Sequence, residues 1–549
     1  MASVFPSGAT SASSGHQLGR YMRTAWPSRI TRICYFVLGA LAAVYGFSFG
    51  VYGEFEPVGF MVPLVVLLGL LLWVMPITKY PPVRLLRWFF PGFVYALLCW
   101  PDYLAVELPN LPWITAVRLL GVPMVIVLLL CSFTSPRFRT WMSDVFDGDR
   151  LILRLAITFI VICGLSVLLS RDMAYSMSKF VIAAWSYFGV FAVACYYFSK
   201  RGNPQRFARM LVYITLFSIV VGLYEARFSQ LPWAQHIPSF LEIQDENIKE
   251  LLAGTARAAT GIYRVQSKFS TSIGLGEFFG LALPFIMHLV FSARRLWVKW
   301  LIFIIIPVAF YISIRTDSRL SFITFVSSVM LYILFRAYIT WRREKSNLFA
   351  PAVMLIYPLM IAVFVVLAFT WRRVGVLVFG TGAQQFSTEA RKMQWARGWP
   401  KIFKNPFGYG IGTSNDVLDF HTPGTGRQTI DSYYLGVLLE FGFIGFIVFY
   451  GMFIVAAYQA GRASIRTNDD ETLFLGAAAI ALVNFLVTKS IYSQLENNSL
   501  GFILLGLVVA LLRRYKAERG VLPALPEDDG LTRPKTFQVK HYGGMPQPA

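Results

Sequence analysis

The side chains best suited to chemistry are cations gathered in two stretches of the chain. The first stretch carries Arg227, Lys249, Arg257, Arg264 and Lys268. The second carries Arg372, Arg373, Arg391, Lys392, Arg397, Lys401, Lys404 and Arg427. Guanidinium groups stay charged at any relevant pH and grip phosphate oxygens bidentately. Taken singly, each of these residues reads better as solvated surface or as a contact to lipid phosphates. Taken as a set, they point to an anionic ligand, and a lipid-linked diphosphate would need several such donors. Other charges lie in or beside apolar runs, where charge is costly and defaults to function. These are Arg319, in the sequence Arg315-Thr-Asp-Ser-Arg319, then Glu277, Arg171 with Asp172, Arg118 and Lys489. For Arg118, Arg171 and Lys489, snorkelling or a structural ion pair is the stronger reading; for Arg319 and Glu277 the two readings weigh equally.

The elements that position these groups follow from composition. Of 549 residues, 56% are hydrophobic and 14% charged, against about a quarter charged in soluble proteins. With a mean hydropathy of +0.57 and apolar residues in long runs, the chain is built for lipid. The predicted class is all-α, a polytopic bundle of about 14 transmembrane helices with two long outer loops carrying short helices. The runs centre on 33–50, 58–76, 86–104, 113–133, 151–170, 178–199, 209–226, 272–292, 297–315, 318–339, 349–370, 431–458, 472–491 and 497–513. The net charge of +21 does not point to nucleic acid. Most Lys and Arg sit in alternate short loops and in the two tails, as they do when they orient membrane helices with both termini inside. The partition is then a tail (1–29), spans one to seven (30–226), an outer loop (227–271), spans eight to eleven (272–370), a second outer loop (371–430), spans twelve to fourteen (431–513) and a C-terminal tail (514–549). The outer loops are rich in Trp, Phe and Leu, so short helices against the membrane face are expected, for example Glu389–Phe403 with its rings on one side. The N-terminal run is followed by many others and reads as a span, not a cleaved signal. The five cysteines lie in or beside apolar runs without metal-ligand spacing, and the scattered histidines suggest no metal site.

Two short motifs are discounted. Gly408-Tyr-Gly410-Ile-Gly412 has no preceding strand and reads as a turn, not a nucleotide loop. Ser176-Met-Ser-Lys179 lacks the companion motifs of a serine acyl-enzyme site. The informative stretch is Asn405–Tyr450. A loop, Asn405-Pro-Phe-Gly408-Tyr-Gly410, precedes a polar cluster, Asp431-Ser-Tyr-Tyr434. That cluster leads into Leu435-Gly-Val-Leu-Leu-Glu440-Phe-Gly442-Phe-Ile-Gly445. This order resembles the O-antigen ligase/polymerase family of integral membrane glycosyltransferases. Arg264-Val-Gln-Ser-Lys268 running into Leu275-Gly-Glu277, then Asp317-Ser-Arg319 and Arg391–Trp399, resemble its other segments. The family's His-Asn pair stands here as Asp431-Ser432.

The resemblance implies transfer of a glycan from a polyprenyl-diphosphate donor to an acceptor hydroxyl at the outer leaflet of a bacterial inner membrane, with the active site facing the periplasm. Arg264, Arg319, Arg391, Arg397 and Lys268 would hold the diphosphate. Asp431, or else His421, would take the acceptor proton. The alternative readings are an N-terminal cap for Asp431 and a surface histidine for His421. Tyr434, Glu277 and Glu440 would position substrate. No cofactor and no metal are expected. The partners would be the lipid-linked glycan, the bilayer, and assembly proteins such as a flippase or chain-length regulator. Two basic outer loops favour a repeat-unit polymerase over a ligase acting on lipid A core. A flippase of lipid-linked sugars is the rival of another class, and it would place its charges in a central cavity.

Overall fold

A computed structural model describes residues 36–44, 69–71, 74–107, 113–241, 263–293, 295–370, 385–421, 428–526 and 530–532, with single positions elsewhere. The second expected span lies mostly outside the described residues, and the first is described only in part. Arg257, Arg372, Arg373, Arg427 and the tail beyond 532 also lie outside them. The described chain is helical, and its β-type pairing is confined to the isolated bridges Val106–Ile114 and His421–Gln428.

The helices in chain order are α1 (Val83–Cys99), α2 (Ala116–Thr134), α3 (Pro136–Phe146), α4 (Arg150–Val167), α5 (Met173–Phe198), α6 (Asn203–Phe228), α7 (Ser272–Ser292), α8 (Leu296–Arg315), α9 (Arg319–Arg343), α10 (Phe349–Thr370), α11 (Gln385–Lys404), α12 (Ser414–Leu418), α13 (Tyr433–Ser464), α14 (Phe474–Lys489) and α15 (Asn498–Glu518). Eight of them are long and apolar enough to cross a membrane: α2, α4 to α9, and α13. Of the others, α14 and the first part of α10 are shorter apolar stretches, while α3 and α12 are short helices and α11 is a longer, more polar one. Helix starts are closed by side chains where backbone N–H groups would otherwise go unpaired. Asp149 accepts from Leu151 and Ile152 at 2.9 and 3.1 Å, and Thr115 accepts from Arg118 at 3.2 Å. Each such cap is worth about 1 kcal/mol.

The most enclosed span is α7, which lies against α6, α8, α9 and α14. Its Gly276 and Gly280, four residues apart, meet Ser321 and Thr324 of α9 so closely that a Cβ at either would collide. Small residues let two backbones approach, and hydroxyls then bond across the gap. Thr324 donates to the Gly276 carbonyl at 3.2 Å and Ser328 to that of Gly280 at 2.9 Å. Asn484 of α14 donates to Gly280 O and Ser328 Oγ at 3.1 and 2.7 Å. At the opposite extreme, α8 and α10 expose Trp297, Trp300, Leu301, Leu359 and Phe369, a surface suited to hydrocarbon and not to water.

Loops gather at the two ends of the bundle. At one end, Lys268 bonds the Leu97 carbonyl, Trp233 bonds Tyr103 and Ser493 bonds the Ile430 carbonyl. At the other, Arg514 pairs with Glu471, Arg343 bonds the Thr467 carbonyl and Lys516 that of Asp147.

Candidate functional site

The site is built on a break in α13. Gly442 has φ 66° and ψ −166° inside the helix, a conformation essentially closed to residues with a Cβ. The break leaves helix carbonyls and an N–H unpaired, which is intolerable inside a membrane unless protein supplies partners. The 405–412 loop supplies them. Tyr409 N–H donates to the Leu439 carbonyl at 2.8 Å and Gly410 N–H to that of Glu440 at 3.1 Å. In return Phe443 N–H donates to the Pro406 carbonyl at 3.1 Å. The fit is backbone on backbone: a Cβ on Gly442 would lie 2.0 Å from Pro406 O, and one on Gly408, itself at φ 91°, 2.4 Å from Glu440 O. The expected turn is therefore also a plug. Ser176 anchors it by donating to the Ile411 carbonyl at 2.8 Å. That bond gives the discounted Ser-x-x-Lys match a packing role.

The half-helix upstream of the break starts just after Asp431. The segment leading to it is held by α11. Gln394, 1% exposed, accepts from Asp431 N–H at 3.0 Å and donates to the Thr429 carbonyl at 3.3 Å. One turn before Gln394 on the same helix, Arg391 Nε lies 3.9 Å from Asp431 Oδ2. One turn earlier again, Thr388 accepts from Arg319 Nη2 at 3.4 Å. Arg319 opens α9, and in the turn before it the Thr316 carbonyl accepts from Arg264 Nε at 3.1 Å. Arg264, Arg319, Arg391 and Asp431 are thus joined in one polar run crossing three loop regions. Burial raises the Asp431 carboxyl above the usual range, and the Arg391 charge partly offsets this; burial likewise lowers Arg391, offset by Asp431.

The segment that presents Arg264 is fixed from below. Glu225, fully buried in the last turn of α6, accepts from Gln266 N–H at 2.8 Å. Glu496 accepts from Ser270 N–H at 2.8 Å, and Tyr492 accepts from Thr271 at 3.0 Å. Ser267 in this segment sits at φ 57°. The next side chain, Lys268, turns inward: it is 2% exposed, with its ammonium 2.8 Å from the Leu97 carbonyl at the end of α1. Lys268 therefore stands apart from the arginine run.

The remaining candidates fall into two groups. Arg397 donates to the Asp419 carbonyl at 2.9 Å, and His421 Nδ1 lies 3.6 Å from Asp419 Oδ1, so both stand at one exposed corner beside α12. Glu277, Glu440 and Tyr434 are tied into the fold. Glu277 pairs with Lys489 at 3.1 Å and accepts from Asn497 at 3.0 Å. Glu440 accepts from Ser414 Oγ at 2.7 Å. Tyr434 donates to the Leu486 carbonyl at 2.9 Å and packs on Tyr450. Among the described residues, no cluster of three or more His, Cys, Asp or Glu has metal-holding geometry.

Sequence reasoning passed over Thr388, Gln394, Glu225, Glu496 and Tyr492. The first two carried a signal. Thr388, Arg391 and Gln394 recur every three residues, a polar stripe running beside the packed rings of Trp395, Trp399 and Phe403. The other three are recognisable only by what they touch.

No curated protein matches the chain. Residues 308–450 match the family model described as O-antigen ligase. The match contains Arg319, Arg391, Arg397, His421, Asp431, Tyr434 and Glu440 and the glycine plug, while Arg264, Lys268 and Glu277 lie upstream of it. Over residues 308–450 this multi-pass membrane protein is thus similar to the O-antigen ligase family, in line with the O-antigen ligase/polymerase family that its motifs resemble.

Proposed function

We propose that the chain is a membrane glycosyltransferase that moves a glycan from a polyprenyl-diphosphate donor to an acceptor sugar hydroxyl at the outer leaflet, acting as a polymerase of repeat units. The observation that carries this reading is the polar run Arg264–Thr316, Arg319–Thr388 and Arg391–Asp431 at one end of the bundle. In the step, the acceptor oxygen forms a bond to the anomeric carbon while the bond from that carbon to the phosphate oxygen breaks. The electron pair leaves with the diphosphate. Arg264, Arg319 and Arg391 stabilise that departing charge, and Asp431 takes the acceptor proton.

Asp431 is favoured over His421 as the base. It is the group standing beside an arginine of the run, whereas the His421 side chain is 53% exposed next to Asp419. The raised Asp431 carboxyl also suits the task, since a base works best with a pKa near the working pH. Arg397 and His421 then form the flank on which the acceptor enters. Lys268 is left out of the diphosphate site because its ammonium is committed to Leu97.

The test is reconstitution in liposomes with lipid-linked repeat as the sole substrate. Chain growth supports the polymerase. Transfer only when lipid A core is added replaces it with the ligase. No transfer under either condition removes the glycosyltransferase reading. Arg264→Ala and Arg319→Ala should each abolish product while membrane insertion is retained, and full activity in both would contradict the assignment.

A further inference from the structure

A cavity of about 900 Å³ opens at the end of the bundle opposite the arginine run. It is walled by the starts of α1 and α6, the end of α5, the 469–472 turn, the end of α15 and the segment after it. Six cations face it: Arg87, Lys200, Arg201, Arg206, Arg513 and Arg514. Two carboxylates, Asp469 and Glu518, share the lining, and Arg514 is already paired with Glu471 just behind it. Glu518 already accepts from Thr467 Oγ1 at 2.7 Å and Asn468 N–H at 2.9 Å. Asp469 accepts from Thr472 at 2.7 Å.

Basic residues at helix ends are expected wherever they orient a membrane protein. That task is served by side chains splayed toward lipid phosphates and water, and it gives no reason to bury them. Arg513 is 3% exposed. Its Nε donates to the Asp144 carbonyl at 2.9 Å and one Nη to that of Pro523 at 2.7 Å. Its Nη1 is buried with no hydrogen-bond partner. The Asp144 and Asp147 carboxylates offset part of the Arg513 charge from one side, but the guanidinium hydrogen-bonds only to carbonyls, and a buried donor nitrogen without a partner is costly unless an acceptor in the cavity completes it.

We propose that this cavity is a second anion site, which takes a phosphate-bearing ligand, either a soluble phosphate or diphosphate or the headgroup of an anionic lipid. Arg513 is its floor, and Arg201 and Arg206, both exposed, guard its mouth. The chemistry is the fork-on-oxygen pairing that guanidinium favours. The site is distinct from the proposed transfer site, which lies at the other end of the helices.

The test uses the purified full chain. In neutral detergent it is titrated with inorganic pyrophosphate. Separately, it is extracted from phosphatidylcholine vesicles with and without phosphatidylglycerol, and native mass spectrometry reads the retained lipid. Saturable binding of pyrophosphate assigns a soluble ligand; retention of phosphatidylglycerol alone assigns a headgroup. Arg201→Gln combined with Arg206→Gln should weaken the bound species about tenfold or more. A second basic concavity, lined by Arg342, Arg343, Arg466 and Arg519, supplies the control: Arg466→Gln with Arg519→Gln removes the same charge and should leave binding unchanged. Equal loss in both pairs would mean diffuse counter-ion attraction and overturn the proposal. So would the absence of saturable binding to either probe. That outcome includes the case in which Glu527, Asp528 and Asp529, which lie in sequence between the lining residues Pro526 and Thr532, neutralise the cavity themselves.

Discussion

Lys489 Nζ and Glu277 Oε1 stand 3.1 Å apart with both side chains sealed from solvent, whereas Arg391 Nε and Asp431 Oδ2 stand 3.9 Å apart and are 25% and 36% exposed. The first pair is walled in by protein: Lys489 also donates to the Gln494 carbonyl at 2.8 Å, and Asn497 donates to Glu277 at 3.0 Å. It ties α7 to α14 and to the loop after it. The second pair is looser than the 2.7–2.9 Å of a tight charge-assisted bond, and it lies where ligand has access. Charges of the same chemical kind thus do different work, and the difference lies in how completely protein surrounds them. A closed pair locks helices; an open one leaves a guanidinium and a carboxylate able to meet substrate.

The comparison breaks most visibly at the closed pair. Glu277→Ala should cost about 3–5 kcal/mol, because it strands a buried ammonium. The measurement is thermal unfolding in detergent. A variant as stable as the parent would mean that water reaches Lys489 after all. Replacing both partners by apolar residues should recover much of the loss.

At the open pair the effect should move from stability to turnover. Asp431→Asn should lower the transfer rate about 10²–10⁴-fold, the usual contribution of a positioned base. The parent rate should rise with pH through the Asp431 carboxyl. Its midpoint should lie above that of an ordinary aspartate, because burial favours the protonated form more than Arg391 opposes it. In Asp431→Asn that limb should vanish. The sign for stability is the reverse of the usual carboxylate case. A group raised on folding weakens the fold once it is ionised, so Asp431→Asn should leave the neutral-pH melting temperature unchanged or higher. A clear drop would make Asp431 a strut like Glu277. Arg391→Ala should reduce turnover about 10²–10³-fold with little change in melting, and a loss of melting without a loss of rate would erase the distinction between the pairs.

The sequence made the architecture legible wherever a property is local. Apolar runs marked the long spans, and the i, i+4 spacing of Trp395, Trp399 and Phe403 marked α11. Arg264, Arg319 and Arg391 drew notice because charge beside lipid is expensive. What stayed hidden depends on contacts distant in sequence. Glu277 and Lys489 each stood out alone, but nothing local pairs residues 212 positions apart. Lys268 shares its segment with Arg264, and residue type alone grouped them; a left-handed backbone at Ser267 precedes the inward turn of the lysine. The glycines of 408–412 were readable as a turn. Their use as a plug depends on Gly442, whose break cannot be inferred from a glycine in an apolar run.

The smallest expected effect tests whether α11 sets the open pair's geometry. Gln394 spans the backbone on either side of Ile430, accepting from Asp431 N–H and donating to the Thr429 carbonyl. Gln394→Ala leaves both backbone groups without that partner, at a cost of about 1–2 kcal/mol, and frees Asp431 to drift from Arg391. Turnover should fall about tenfold, the equivalent of 1.4 kcal/mol, with KM for the donor unchanged, since the donor is held by the arginines. Gln394→Glu separates positioning from packing. Its carboxylate can still accept from Asp431 N–H, but a second negative charge beside Asp431 favours the protonated acid, so the rising limb of the pH profile should move to higher pH while the maximal rate is largely kept. A merely structural Gln394 would shift the melting temperature in both variants and leave the limb where it stands in the parent, and α11 would then be a cover over the site and not its template.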